Sequence, residues 1–274
     1  MPARSKPQPS SASVAHVRVM TLNIWNYNDP WQTRRELIAA CINQVAPDVI
    51  GLQEIRVERD RSPENQAQQI MAHLRDEYQC VYCPAMTFDR EPLREEGLAI
   101  LSRWPVASWE AKELTRDSAD DRDIHQRILL RADVQSPAGV LRFFNTHWSL
   151  SEPARLRNAA EVRAAVAQFA GTAPVVLVGD LNSRPDGPAA ALFEPADSGD
   201  AVLRDAWADL RPNDSGFTIK SDKPTHRIDY IAHNLDGGRF GRFLDVQLVA
   251  TEPTDGILPS DHIGILADVQ VIGR

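Results

Sequence analysis

Val175-Val176-Leu177-Val178-Gly179-Asp180-Leu181-Asn182-Ser183 is a short apolar run that breaks at a glycine into an acid and an amide. A run of this length, rich in β-branched residues and bounded by turn residues, reads as a buried strand. Open α/β sheets place their sites at the carboxyl ends of such strands. In an extended chain residues i and i+2 point the same way, so Asp180 and Asn182 are expected to face one pocket together. That pairs a base or charge stabiliser with a donor for an anionic substrate.

Further strands are expected at 17–25, 48–52, 97–101, 127–134, 140–147, 227–232, 243–250 and 263–271, where β-branched and large apolar residues cluster between turn signals. Apolar residues at helical spacing predict helices over 37–45, stopped by Pro47, over 66–74, and over 153–169. Strands outnumber helices and both recur along the whole length, which fits a layered α/β sandwich better than a strict β-α barrel. No composition shift divides the chain and no repeat is evident. Residues 16–274 are therefore expected to form one domain behind a disordered tail, residues 1–15, rich in Pro and Ser.

The length of 274 residues, 43% hydrophobic residues and 25% charged residues are those of an ordinary globular protein able to bury a sizeable core. With 30 Lys and Arg against 38 Asp and Glu, the net charge of -8 disfavours a protein that grips nucleic acid over a broad basic face. It suits one whose carboxylates are partly offset by a bound cation. Cys41, Cys80 and Cys83 are too few and of odd number for a disulfide scaffold, and the C-x-x-C spacing at 80–83 lacks a second ligand pair for zinc. No apolar run reaches a membrane span or a signal peptide. The chain is expected in the cytoplasm, without an obligate protein partner; a secreted form already stripped of its signal would read the same way.

Four more segments carry chemistry. Glu54 ends the run Asp48-Val49-Ile50-Gly51-Leu52-Gln53-Glu54, on the strand face of Ile50 and Leu52; a carboxylate emerging from such surroundings is offset well by a divalent cation. Asp261 and His262 follow Pro259 and Ser260, where a bend can bring both into one pocket: an oxygen ligand beside a group that moves a proton near neutral pH. Asn145 and His147 share a face of their strand. Asp229 lies inside an apolar strand and needs a partner, for which a histidine is the obvious candidate. Trp25, Tyr27, Trp31 and Trp148 lie beside these motif ends, either packing the core edge or rimming the mouth, and residues 211–224 read as a flexible loop that is solvated by default, with Lys220 and Lys223 meeting phosphate as the alternative.

Read in order, TLNIW (21–25), IGLQE (50–54), EEGLAILSR (95–103), FFNTHWSL (143–150), VGDLNS (178–183), HRIDYI (226–231) and PSDH (259–262) resemble the endonuclease/exonuclease/phosphatase superfamily. Each piece is weak alone; all of them in the family's order are specific. The resemblance implies a four-layer α-β-β-α sandwich of two packed mixed sheets flanked by helices, with the site at one mouth. It implies hydrolysis of a phosphoester with a divalent cation, Mg²⁺ first, Mn²⁺ or Ca²⁺ as substitutes. Carried over by position, Glu54 is the principal metal ligand, and Asn23 and Asp261 support the metal or its waters. Asp180 orients or deprotonates the attacking water, Asn182 binds a phosphoryl oxygen, and His262 pairs with Asp229. His147 is a second catalytic histidine, which in deoxyribonuclease-like members pairs with a Glu at the position of Glu96. Arg127 falls near a position that contacts phosphate. AP endonucleases usually carry a tyrosine where this chain has His147, which points to the deoxyribonuclease, sphingomyelinase and phosphatase side. The net charge favours a small or lipid-like phosphoester over DNA or RNA. A non-catalytic binding module is disfavoured because every matched catalytic position carries a usable residue.

Overall fold

A computed structural model describes residues 13–194, 203–235 and 238–273. In chain order its elements are β1 (Val14–Asn23), α1 (Trp31–Val45), β2 (Val49–Glu58), α2 (Gln66–Met71), β3 (Gln79–Arg90), β4 (Leu93–Ser102), β5 (Val106–Glu113) and β6 (Ile128–Ser136). There follow β7 (Gly139–His147), α3 (Glu152–Ala170), β8 (Val175–Asp180), a 3-10 turn at Pro188–Leu192, β9 (Arg204–Asp205), α4 (Ala206–Leu210), β10 (Asp229–His233), β11 (Gly241–Val249) and β12 (Gly264–Ile272). Of the tail expected at 1–15, residues 1–12 lie outside the described residues. Val14 and Ala15 already belong to β1 and pair with Ile272 and Val271, so the boundary expected at residue 16 falls inside a strand.

The strands form two six-stranded sheets, ordered β11-β12-β1-β2-β4-β3 and β5-β6-β7-β8-β10-β9. Each is built around one parallel pair joined through a helix, β1-α1-β2 in the first and β7-α3-β8 in the second, with antiparallel neighbours on either side. Three apolar clusters separate the layers. Val17, Val19, Val49, Phe143, Val176 and Val178 meet between the sheets. Met20, Leu22, Ile50 and Leu52 pack on Ile38 and Ile42 of α1. Phe144, Val175 and Leu177 pack on Val162 and Val166 of α3. Strands covered on both faces explain why the central segments are apolar throughout. The fold is the expected four-layer α-β-β-α sandwich.

The alternation along these strands sets the site. Val17 and Val19, Leu141 and Phe143, Val176 and Val178, and Ile231 all face the opposite sheet. Two-residue steps therefore turn Asn23, Asn145, His147, Asp180 and Asp229 into the same inter-sheet space. The sheets approach closely there: a Cβ on Gly51 would lie 2.3 Å from Val178 Cγ2. Past Gly51 the core turns polar. Asn145 Nδ2 donates to Leu52 O and Ala99 O on the other sheet, each at 2.9 Å, and Gln53 Nε2 donates to Asn145 Oδ1 at 2.7 Å. Asn145 is thus a staple between the sheets, beneath the candidate site.

Cys80 packs toward the α1 side and Cys83 toward the inter-sheet core, as residues three apart on a strand must, and both thiols are free. Burial pushes the Cys80 thiol up to about 11, so it has no thiolate character at neutral pH. Among the described residues no helix is long and apolar enough to cross a membrane.

Candidate active site

The second sheet supplies three site residues side by side. In the parallel pair His147 is registered with Asp180, and in the antiparallel pair Asp180 is registered with Asp229. Asp180 ends β8 on the inter-sheet face, and its Oδ1 accepts the backbone N–H of Asn182 at 2.8 Å. That turn, with Asn182 at φ 48°, brings the two side chains together; the extended i, i+2 geometry expected from the sequence does not. Asn182 Nδ2 then stands 3.0 Å from His147 Nε2 and donates to Trp148 O.

The first sheet supplies Asn23 and Glu54. Simple alternation would send Glu54 to the helix side with Ile50 and Leu52. A register shift between Leu52 and Ile55, with Glu54 at φ 60°, reverses this: Ile55 takes the helix face and Glu54 turns to the cleft. Bulges that re-aim a side chain in this way recur beside functional sites. Asn23 Nδ2 donates both to Glu54 Oε1 and to Asp180 Oδ2, each at 3.0 Å, tying the two sheets together across the mouth. Its Oδ1 accepts Trp25 N, so Asn23 offers nitrogen to the carboxylates and spaces them. Asn26 Nδ2 donates to Glu54 Oε2 at 2.8 Å.

The segment before β12 completes the cluster. Ser260 Oγ donates to Asn23 O at 2.6 Å, and His262 Nδ1 lies 2.9 Å from Asp229 Oδ2, the expected pair. His262 Nε2 is 3.7 Å from Asp180 Oδ2, and His147 Nε2 is 3.4 Å from the same oxygen. Burial by itself would lower the His262 pKa, but Asp229 and Asp180 more than reverse this and raise it to about 10. Burial and the neighbouring Asp229 raise Asp180 to about 7, against the opposing pull of His262. Burial and the Arg127 cation drive His147 the other way, well below its ordinary value, so it is neutral.

Two expected placements are corrected. Glu96 does not pair with His147. Arg127 NH1 stands 3.1 Å from His147 Nδ1 and occupies that side of the ring, while Glu96 Oε2 accepts from Arg56 Nε at 2.9 Å. Asp261 does not line the cleft. It lines a neighbouring cavity with Trp25, Arg34 and Lys220, and its Oδ1 is buried without a hydrogen-bond partner. Burial raises its pKa, and the Glu54 carboxylate adds to the rise. The cleft itself, of about 200 Å³, is lined by Glu54, Glu96, Arg127, His147, Asp180, Asn182 and His262, together with Asn26, Arg56, His125 and Leu150. Arg56 had a sequence signal: beyond the bulge it shares a face with Glu54 in the alternation Glu54-Ile55-Arg56-Val57. His125 arrives on the loop between β5 and β6 and has none.

Of the four aromatics, Tyr27, Trp31 and Trp148 are buried in the core; Trp25 alone borders a cavity. The segment 211–224 is anchored rather than free: Ser221 N donates to Asp261 O at 2.8 Å and Ser221 Oγ to Ser260 O at 2.6 Å.

Arg34 of α1, only 1% exposed, went unread in the sequence, yet it holds the rim of the site. Its guanidinium donates to the carbonyls of Ile24, Trp25, Asn26, Asn28 and Pro259 and lies 5.1 Å from the Trp25 ring centroid. A lysine cannot serve these carbonyls with one planar fork. Arg34→Lys should therefore lower stability by about 1–3 kcal/mol, read as a fall of several degrees in thermal midpoint; an unchanged midpoint would show that the fork is dispensable.

A hard divalent cation fits this donor set. The carboxylates of Glu54 and Asp180 line the cleft, Asp229 lies behind His262 and Asp261 lines the adjoining cavity, and both Asp229 Oδ1 and Asp261 Oδ1 are buried without partners. Among the described residues Asp180, Asp229 and His262 bring potential ligand atoms within 4.8 Å of one another. Oxygen donors of this kind suit Mg²⁺-like ions.

Carboxylates and histidines gathered at the shared mouth of two packed mixed sheets define the class as a metal-dependent phosphoester hydrolase. The chain belongs to the endonuclease/exonuclease/phosphatase family, whose model matches residues 20–262. No curated protein matches it. Its fold is similar to an endonuclease/exonuclease/phosphatase from Bacteroides vulgatus, with a TM-score of 0.72 and 21% identity over 94% of this chain and 99% of that one. It is also similar to a truncated TDP2 from Caenorhabditis elegans, with a TM-score of 0.71 and 20% identity over 93% and 97% of the two chains. A family protein from Leptotrichia buccalis gives a TM-score of 0.70 and 20% identity over 92% and 98%.

Proposed function

We propose that the protein is a Mg²⁺-dependent phosphodiesterase acting on a small or lipid-like phosphodiester. One observation carries this reading: a single hydrogen-bonded cluster joins Glu54 through Asn23 to Asp180, with the Asp229–His262 pair beside it, in one cleft. The upward pKa shifts of Asp180 and His262 support a division of roles. Asp180, near 7, accepts a proton from the attacking water. His262, near 10, keeps its proton and offers a buried positive charge to the phosphoryl oxygens as negative charge develops. Neutral His147, Asn182 and Arg127 supply further hydrogen bonds to those oxygens. The P–O ester bond breaks, and the leaving oxygen takes its proton from solvent. A cation held by Glu54 and the neighbouring carboxylates would supply charge neutralisation at the phosphorus.

The reaction cleft is smaller than the roughly 300–1,000 Å³ of common ligand pockets, so it holds the phosphoryl group and little else. Exposed Leu150 lines it, and exposed Phe88 and Ile124 stand beside His125, which gives the mouth an apolar rim suited to an organic or lipid-like substituent. Bis(p-nitrophenyl) phosphate should be hydrolysed with Mg²⁺ and not with chelator; no turnover with Mg²⁺, Mn²⁺ or Ca²⁺ would leave a binding module on the same fold. Nicking of plasmid DNA at low enzyme, without turnover of sphingomyelin, lysophospholipid or small diesters, would establish a nuclease instead.

Glu54→Gln keeps the shape and one of the two amide contacts but removes the charge that would hold the cation. The Mg²⁺ concentration for half-maximal activity should rise at least about tenfold. An unchanged Mg²⁺ titration would take Glu54 out of the metal site.

A further inference from the structure

A second, larger groove adjoins the cleft. It measures about 770 Å³, and Asn182 and Leu150 line both spaces. Arg122, Arg155, Arg184, Lys220 and Lys223 line it, against the carboxylates of Glu152, Asp186 and Asp222. The balance there is positive on a chain whose net charge is -8. Among the described residues none of these five cations forms an ion pair, so their charge is available to a ligand.

The groove is held rigidly to the reacting groups. The loop bearing Lys220 and Lys223 is fastened through Ser221 to Ser260 and Asp261, next to His262, and Ile263 N donates to Thr218 O at 2.8 Å. Arg184 follows Asp180 and Asn182 out of β8, and its NH2 lies 3.3 Å from His226 Nδ1. Arg155, in the first turn of α3, is held by a bond from its NH1 to Leu150 O at 2.9 Å. Leu150, Ile219 and Ile228 add an apolar part to the groove's lining. The volume is far more than one phosphate needs and lies within the range of an organic ligand.

We infer that this groove binds a second phosphate of the substrate, carried on an organic group that packs against the apolar part of the lining, and so selects diesters bearing a distal phosphate. The inference rests on the phosphodiesterase reading and adds the substrate feature that the cleft alone does not specify. Guanidinium groups favour phosphate oxygens through paired, charge-assisted hydrogen bonds. The distal phosphate belongs either to a nucleotide or to a phosphorylated sugar or polyol headgroup, and the two are separated by experiment.

Two substrate pairs test it: thymidylyl-thymidine with and without outer phosphates at its ends, and glycerophosphoinositol with and without a ring phosphate. The wild type should prefer the phosphorylated member of at least one pair by at least about tenfold in kcat/KM. The pair that shows the preference identifies the source. In Arg184→Ala/Lys223→Ala, both exposed positions, that ratio should fall toward one, and the salt dependence of KM should flatten. A ratio near one in both pairs for the wild type, or a preference kept by the variant, overturns the proposal. Calorimetric binding of the same pairs to Asp180→Asn separates this from the function itself. Selective binding of the phosphorylated member, with no turnover by the wild type, would keep the groove and remove the hydrolase reading; binding without selectivity would remove the groove.

Discussion

Asp180→Asn lowers kcat on bis(p-nitrophenyl) phosphate at least about a hundredfold and leaves the protein folded. The substitution preserves volume in a site where Asp180 is 1% exposed. It removes a carboxylate whose pKa is raised to about 7 by burial and by Asp229. An amide cannot take the proton of an attacking water, and a positioned base contributes about 10²–10⁴ in rate. Stability should move little. One oxygen still accepts, either from Asn23 Nδ2 or from Asn182 N, which the carboxylate now serves together. The lost hydrogen bond is set against relief of the repulsion between two buried carboxylates on adjacent strands. The thermal midpoint in the absence of metal should therefore stay within about 4 °C of wild type. Activity within about threefold of wild type, with the midpoint intact, would assign the base elsewhere.

The prominence of Asp180 in the sequence and the silence of its neighbours have a common physical cause. A strand buried on both faces must be apolar until it ends, so Val175 to Val178 announces the polar residues that follow. The same logic exposes Asn23, His147 and Asp229. The edge strands β3 and β5 give no such signal: β3 contains Pro84 and a largely exposed second half, and β5 is exposed along most of its length, because each has only one strand neighbour. Register is likewise hidden. That Asp180 lies between His147 and Asp229 depends on pairings that no local pattern encodes. The face of Glu54 was misread because alternation assumes a regular strand, and one positive φ overturns it. His125 and Arg34 act through a loop and a helix face with no motif, so only the folded chain brings them to the site. Arg127 takes the side of His147 expected for Glu96 because the residue just before β6 delivers a cation there, a contact that position-by-position resemblance does not contain.

His262→Ala should lose at least about a hundredfold in kcat and, unlike Asp180→Asn, should also destabilise the protein. His262 is the cation against which two buried carboxylates are balanced, with Asp229 Oδ2 at 2.9 Å and Asp180 Oδ2 at 3.7 Å. Asp229 is 1% exposed, and its other oxygen already lacks a partner. Removing the imidazole leaves that charge buried and unpaired, a loss of about 3–5 kcal/mol when one member of such a pair is deleted. A domain of this size loses roughly 2–4 °C per kcal/mol, so the fall in thermal midpoint is easily measured. The double variant His262→Ala/Asp229→Asn separates the two roles of the histidine. Neutralising Asp229 removes the orphaned charge, so at least about half of the lost stability should return. The catalytic loss should remain, because no cation is restored beside the phosphoryl oxygens. If stability does not return, Asp229 is not held by His262 in the way the 2.9 Å contact indicates. If kcat returns with it, the single variant was inactive only because it was disordered, and the charge that opposes the developing phosphoryl anion comes from the other cations lining the cleft, Arg127 and Arg56.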